Sequence, residues 1–365
     1  MGRLDRYVLR VFLLHWLVIG GALLGLFSVF DLIAHGDELG ETARASQPVF
    51  GPTLRYYLAN LPFLLVLFAP YLTLLAGVGT VTQLMRGSEW TPMLSAGRST
   101  RRAFLPILVG GLVLGLGAEA VREFVTPGLL VEREALSRRL FDQRDWVLAD
   151  VWSRGRDDAI LHAGEFRPGA GPGGGTAAAE ILGFEIHDRR QAAAGSGLVD
   201  RLLVAERATW DGSGWQLDKG LRTRSDGGEE AVVRAAAPDL GPHDLLRAYF
   251  GLVQPHEMAR ADLAELLRRD PQHRQAATLI WAWRSAPLAH LILLLLGLPF
   301  VLGFGRRSTL EGVATGLLAS AFYFVGDFLL RDLGGRGVVS PFLGGAGAPL
   351  VFGSLALWAQ DRLPT

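Results

Sequence analysis

Six stretches of about twenty predominantly apolar residues run through this 365-residue chain, three before and three after a long polar middle section. A run of that length matches the ~30 Å hydrocarbon core of a bilayer, where only helices or closed barrels satisfy every backbone amide. The spacing predicts a helical membrane protein with spans at about residues 11–33, 54–81, 103–120, 286–304, 312–330 and 338–358. The first follows Arg3, Arg6 and Arg10 as a signal peptide would, but it is too long for a signal segment and lacks a small-residue cleavage site. It reads as a retained span.

Composition narrows the partners only slightly. Hydrophobic residues make up 50% of the chain and mean hydropathy is +0.27, while 36 basic residues balance 36 acidic ones. Lys219 is the only lysine, an arginine bias that reflects genomic base composition rather than a nucleic-acid site. The absence of cysteine excludes disulfides, thiolate metal sites and a cysteine nucleophile. His15 and His290 lie inside apolar spans with no ligand-spaced partner and read as packed or hydrogen-bonded side chains, not metal ligands.

Arginine at span ends sets the expected orientation, because basic residues are retained in the cytoplasm. Arg3, Arg6 and Arg10, then Arg86, Arg98, Arg101 and Arg102, then Arg306 and Arg307 all fall on one face, whereas the first loop carries Asp37, Glu38 and Glu41. Both termini are therefore expected in the cytoplasm and residues 121–284 outside. Short runs at 145–152, 159–163, 180–186, 198–210, 214–221 and 231–234, separated by turn-forming clusters at 167–175 and 226–228, predict a β sandwich or jelly roll. The alternation within 198–210 is imperfect. The glycine-rich run 169–175 lacks a following Lys-Ser/Thr and reads as a turn, not a phosphate loop. Pro255 is expected to start an amphipathic helix with Met258, Leu263, Leu266 and Leu267 on one side, leading to Trp281, Trp283 and Arg284 as interface anchors.

These features in this order resemble the lipopolysaccharide-transport permeases of the LptF/LptG type. The resemblance rests on Leu4-Asp5-Arg6-Tyr7 before span one, Met85-Arg86-Gly87-Ser88-Glu89 and Met93-Leu94-Ser95-Ala96-Gly97-Arg98 between spans two and three, and Glu119 with Val125-Thr126-Pro127 after span three. It continues through Glu206-Arg207-Ala208, Trp215-Gln216-Leu217, Ser285-Ala286-Pro287-Leu288, Leu296-Gly297-Leu298-Pro299-Phe300 and Ser340-Pro341-Phe342-Leu343. It implies an inner-membrane permease subunit of an ABC-type exporter: six transmembrane helices with an inserted periplasmic β jelly-roll domain, extracting lipopolysaccharide or a similar glycolipid. The implied partners are a second six-span permease, a cytoplasmic ABC ATPase dimer and a periplasmic jelly-roll lipid-transfer protein. The domains would be 1–121 (spans one to three, with a coupling loop at 82–102), 122–256 (jelly roll), 257–285 (connecting helix and return to the membrane) and 286–365 (spans four to six). No cofactor is expected on this chain, which has no Walker A loop; ATP would be used by the partner.

Within the coupling loop, residues 83–96 can form one short helix that places Arg86 and Glu89 on a shared face, with Gly97 allowing close backbone approach. The resemblance implies an ATPase-coupling surface of Arg86, Glu89, Met93, Ala96, Gly97 and Arg98. Charged residues near the outer span ends, Asp31, Glu119, Arg122, Arg284, Asp327 and Arg331 with His35 and Arg55, are candidates for a lipid-headgroup cavity or for interfacial anchoring. Members of the family commonly carry basic residues after span one; this chain has His35, Asp37 and Glu38 there. Gly21 with Gly25 and Gly111 with Gly115 have the four-residue spacing that permits close helix packing. A lipid-modifying enzyme or a non-transporting scaffold are the rival classes, although neither an HExxH nor a GxSxG motif is present.

Overall fold

A computed structural model describes residues 2–44, 48–142, 146–155, 159–169, 178–191, 198–223, 228–235, 239–303 and 309–360. Arg306, Arg307 and most of the 169–175 and 226–228 runs lie outside the described residues. The chain divides into two compact units, Met1–Ala34 with Asn60–Thr126 and Ala277–Thr365, and His35–Ala59 with Pro127–Ala276.

The first unit is helical. Its elements are α1 (Arg3–Ala34), part of α3 (Phe50–Arg86), α4 (Trp90–Ser95), α5 (Thr100–Phe124), most of α9 (Arg274–Gly303), α10 (Thr309–Gly335) and α11 (Pro341–Gln360); α2 (Gly36–Arg44) belongs to the second unit. Among the described residues, α1, α3, α5, α9 and α11 are long and apolar enough to cross a membrane. Helix α10 is 27 residues long. The core forms where α3, α5 and α9 meet, and small residues let it form. A Cβ on Gly111 would stand 2.5 Å from Leu294 and 3.1 Å from Thr73, and one on Gly115 would stand 2.8 Å from His290. Across this junction Thr73 Oγ1 and His290 Nδ1 hydrogen-bond at 2.8 Å, both side chains buried, so His290 is a packed and bonded histidine. Helix α1 differs, burying only Val8, Val11, Phe12 and Gly20. An apolar surface this open is what a helix presents to lipid or to another helix.

The second unit is built on one antiparallel sheet. Strands β1 (Leu148–Arg154), β2 (Ile160–Arg167), β3 (Glu180–Gln191), β4 (Leu198–Trp210) and β5 (Trp215–Asp218) pair in sequence order. Beyond them, β6 (Leu221–Thr223) pairs with β4 and β7 (Glu229–Ala231), and β8 (Arg234–Ala235) pairs with β5. The imperfect alternation has a structural cause. Buried positions in β1 to β4 are Leu148 then Val151, Ala163 then Phe166, Ile181 then Phe184, and Ala205 then Ala208, each pair enclosing two outward residues. The pairing aligns these slips into one row, Asp150, Gly164, Gly183 and Glu206, which Lys219 extends beyond β5. Left-handed backbone recurs there on alternate strands, at Asp150 (φ 54°), Gly183 (φ 67°) and Lys219 (φ 53°). A slip of one residue in every strand creases the sheet, and one face stays buried on both sides of the crease.

Helices complete this unit. Helix α7 (Pro242–Val253) packs against β1, and Trp215 beneath it donates Nε1–H to Leu240 O at 2.8 Å. Pro255 does not begin the amphipathic helix: it opens a short 3₁₀ turn, Pro255–Glu257, and α8 starts at Arg260 and ends at Arg269. Met258 and Ala259 are extended between them, and Leu263 is the buried anchor of α8. Helix α6 (Thr126–Ser137), followed by a π-helical turn at Arg138–Asp142, was not expected ahead of the first strand.

Candidate functional site

The connection between α3 and α5 takes its shape from its own residues. The amides of Gly87 and Glu89 bond back to Gln83 O (2.8 Å) and Leu84 O (2.9 Å), Ser88 takes a left-handed φ of 57°, and α4 begins at Trp90. Pro92 stands in the first turn of α4, where its missing N–H costs no helical bond. Gly97 ends the helix at φ 81°, its amide bonding to Leu94 O at 3.0 Å, and the Ser99 side chain then accepts the Arg102 amide to start α5. The expected single helix over 83–96 is therefore two helices broken at residues 87–89. Arg86 ends one and Glu89 precedes the other, so they share no helical face. Nothing lies within 4 Å of a Cβ added at Gly97. Its glycine answers the left-handed φ rather than a close approach of backbones.

The side chains of this connection divide by direction. Trp90 and Met93 turn inward into the core that holds Val8 and Phe104, with the Trp90 and Phe104 rings 5.5 Å apart. Met93, expected on the coupling surface, is buried. Arg86, Glu89, Ala96 and Gly97 are exposed, together with Thr91, Pro92 and Ser95. Arg98 is partly buried and donates to Asp5 Oδ1 at 2.6 Å, and the Tyr7 hydroxyl lies near the Glu89 carboxylate.

The charged residues expected in a cavity fall into local pairs. On α5, Arg122 grips the buried Glu119 with contacts of 2.8 and 3.1 Å and stands 5.3 Å over the Trp283 ring. On α10, Arg331 pairs with Asp327 at 2.7 Å, with Tyr71 and Tyr323 within electrostatic reach of the carboxylate. Asp327 Oδ1 and Arg331 Nε are buried and have no partner among the described residues. Arg284 is exposed and stacks on Trp281, and Asp31 lies half-buried on α1. His35 and Arg55 belong to the other unit. There the His35 ring lies 4.4 Å from Phe141 of the π-helical turn, Tyr56 meets the same ring edge-on at 5.0 Å, and Arg55 pairs with Glu132 of α6 at 2.6 Å. The apparent lack of basic residues after span one is thus accompanied by an arginine, Arg55, already matched to a carboxylate.

A family description, the lipopolysaccharide export system permease LptF/LptG, matches residues 6–362. The chain belongs to the LptF/LptG family. Comparison with curated proteins gives no match. Membership makes this a multi-pass permease component of lipopolysaccharide export, in which apolar helices supply the membrane part and the sheet fits a periplasmic domain. Among the described residues of this LptF/LptG chain no cluster of three or more His, Asp or Glu can hold a metal ion. Sequence reasoning missed Asp5 and Tyr7 as partners of the α3–α5 connection, and Glu132 and Phe141 as partners of Arg55 and His35. In each pair the residues lie 77 to 106 positions apart, beyond any periodicity, although Asp5 and Tyr7 stand in a motif already quoted for the resemblance.

Proposed function

We propose that this chain is one permease half of an ABC-type exporter that takes lipopolysaccharide, or a glycolipid like it, from the inner membrane to a periplasmic jelly-roll bridge. In this reading α10 is the fifth of six spans, both termini and α4 face the cytoplasm, and the creased sheet is the periplasmic jelly-roll domain. A second six-span permease, paralogous or identical, completes the lipid cavity, and a dimeric ATPase seats on the exposed side of α4. The observation that carries the reading is the family match over residues 6–362. Arginine placement supports the orientation. The buried Asp327 Oδ1 and Arg331 Nε, which have no partner among the described residues, support a polar ligand at α10, since such atoms in native proteins call for a hydrogen-bonding explanation.

The chain contains no cysteine, so single introduced thiols report topology directly. Ser213→Cys, in the β4–β5 turn, should react with a membrane-impermeant maleimide once the outer membrane is permeabilised, and Ala96→Cys only after the inner membrane is broken. The reverse pattern sinks the orientation and the exporter reading with it. Within the same reading Glu89→Arg abolishes lipid-stimulated ATP hydrolysis while leaving membrane insertion intact; wild-type stimulation would count against α4 as the coupling element. Mass spectrometry of lipid and protein purified with the chain identifies the glycolipid and the second permease.

A further inference from the structure

Two side chains of the opening Leu4-Asp5-Arg6-Tyr7 of α1 reach the ends of α4. Asp5 holds Arg98, just past the end of α4, and the Tyr7 hydroxyl stands beside Glu89, the residue immediately before its start. Asp5 is itself fixed, its other oxygen accepting the Gly2 amide at 2.8 Å. Between these two points Leu4 and Val8 share a core with Met85, Trp90, Met93 and Leu94. One turn further on, Phe12 lies so close to Gly110 that an added Cβ would stand 2.9 Å from its ring. Helix α4 has six residues and no side-chain cap at its start. A helix that short has no intrinsic tendency to hold its form or direction, so neighbouring contacts must set its pose. Those contacts leave Thr91, Pro92, Ser95, Ala96 and Gly97 exposed on the other side.

We propose that Asp5 and Tyr7 are positioning residues for α4: the first turns of α1 clasp α4 at both ends, present its open face, and carry its displacement into α1. The assignment rests on the reading of α4 as the coupling element. It gives α1 a mechanical role that suits its surface, because beyond Phe12 the helix buries only Gly20 and can move there without dismantling a core. Neither Asp5 nor Tyr7 need touch the ATPase for this.

The test uses the assembly purified from native membranes through a tag on this chain and reconstituted in vesicles with and without lipopolysaccharide. Asp5→Arg and Arg98→Asp should each lower lipid-stimulated ATP turnover by about tenfold, as misplacement of a working element does, with ATPase recovered in wild-type amounts. The double variant, with the charges exchanged, should regain most of the stimulation. Rescue by exchange shows that the pair itself is what matters, and the wild-type recovery of ATPase separates a lost pose of α4 from a lost fold. Tyr7→Phe should lower stimulation less. The clasp is overturned if the single variants behave as wild type, or if the exchanged pair does no better than the worse single. Where the charge reversals fail to accumulate, Asp5→Asn and Arg98→Gln decide the matter: lost stimulation at normal recovery supports the clasp and unchanged stimulation overturns it. Ala96→Arg, on the open face, separates the two readings. If it abolishes stimulation while the clasp variants are silent, only the clasp falls; if it too is silent, the coupling reading has failed and takes the clasp with it.

Discussion

Helices α1 and α5 carry the same pattern, two glycines four residues apart, and use it in opposite ways. On α5, Gly111 and Gly115 are filled by Leu294 and His290 of α9. On α1, a Cβ added at Gly21 or Gly25 meets nothing within 4 Å. Small residues at this spacing permit close approach but do not say what approaches. The same pattern therefore serves the chain's own core in one helix and, in the proposed pairing of two permeases, remains available to another protein in the other.

The largest test of this contrast is Gly115→Leu. With His290 Cδ2 at 2.8 Å and the Pro287 Cα at 3.3 Å from the first added carbon, the junction has no room. Overpacking of this kind costs about 1–3 kcal/mol and more where backbone must move, so little folded protein should survive detergent extraction; normal size-exclusion behaviour would refute the packing. Thr73→Val removes the hydroxyl bonded to His290 and leaves a buried ring nitrogen unpaired, a loss of about 1–3 kcal/mol, read as a lower thermal midpoint. Gly183→Ala asks for conformation instead of room. A Cβ there meets only Gly164 atoms at 3.7 Å and beyond, while the left-handed φ of 67° disfavours any side chain by about 1–2 kcal/mol. Unfolding followed through the buried Trp215 should shift accordingly. Smallest is Gly25→Leu, expected to change the stability of the chain by less than about 0.5 kcal/mol. In the assembled permease pair the same change should weaken association, measured as the fraction of paired permeases on a sizing column; unchanged pairing would show that this face of α1 meets only lipid.

Five of the six expected spans were legible as long apolar helices because a bilayer imposes one length on every crossing, and apolar runs display it without regard to what packs where. The strands were legible in part. Runs at 180–186 and 198–210 correspond to β3 and β4, but the imperfect alternation of 198–210 has no meaning within one strand. It becomes a crease only when Glu206 is seen aligned with Gly183, Gly164 and Asp150 across the sheet. Helix α7 and the break at Pro255 escaped notice because helices of about ten residues draw their stability from tertiary packing, here on β1. In the α3–α5 connection, Arg86, Glu89, Ala96 and Gly97 lie on the exposed side, while Met93 turned inward. A methionine at helical spacing serves either side equally until the neighbouring helix is known.

By itself the sequence determined that the chain has membrane helices on either side of a β region, since apolar run length and turn chemistry act locally and need no partner. The tertiary structure alone decided which small residues are occupied, which charges are already matched, and which turn of α1 grips α4. Apart from the local pairs Glu119–Arg122 and Asp327–Arg331, those contacts join residues scores or hundreds of positions apart, and chain connectivity holds no record of them until the helices and strands have packed.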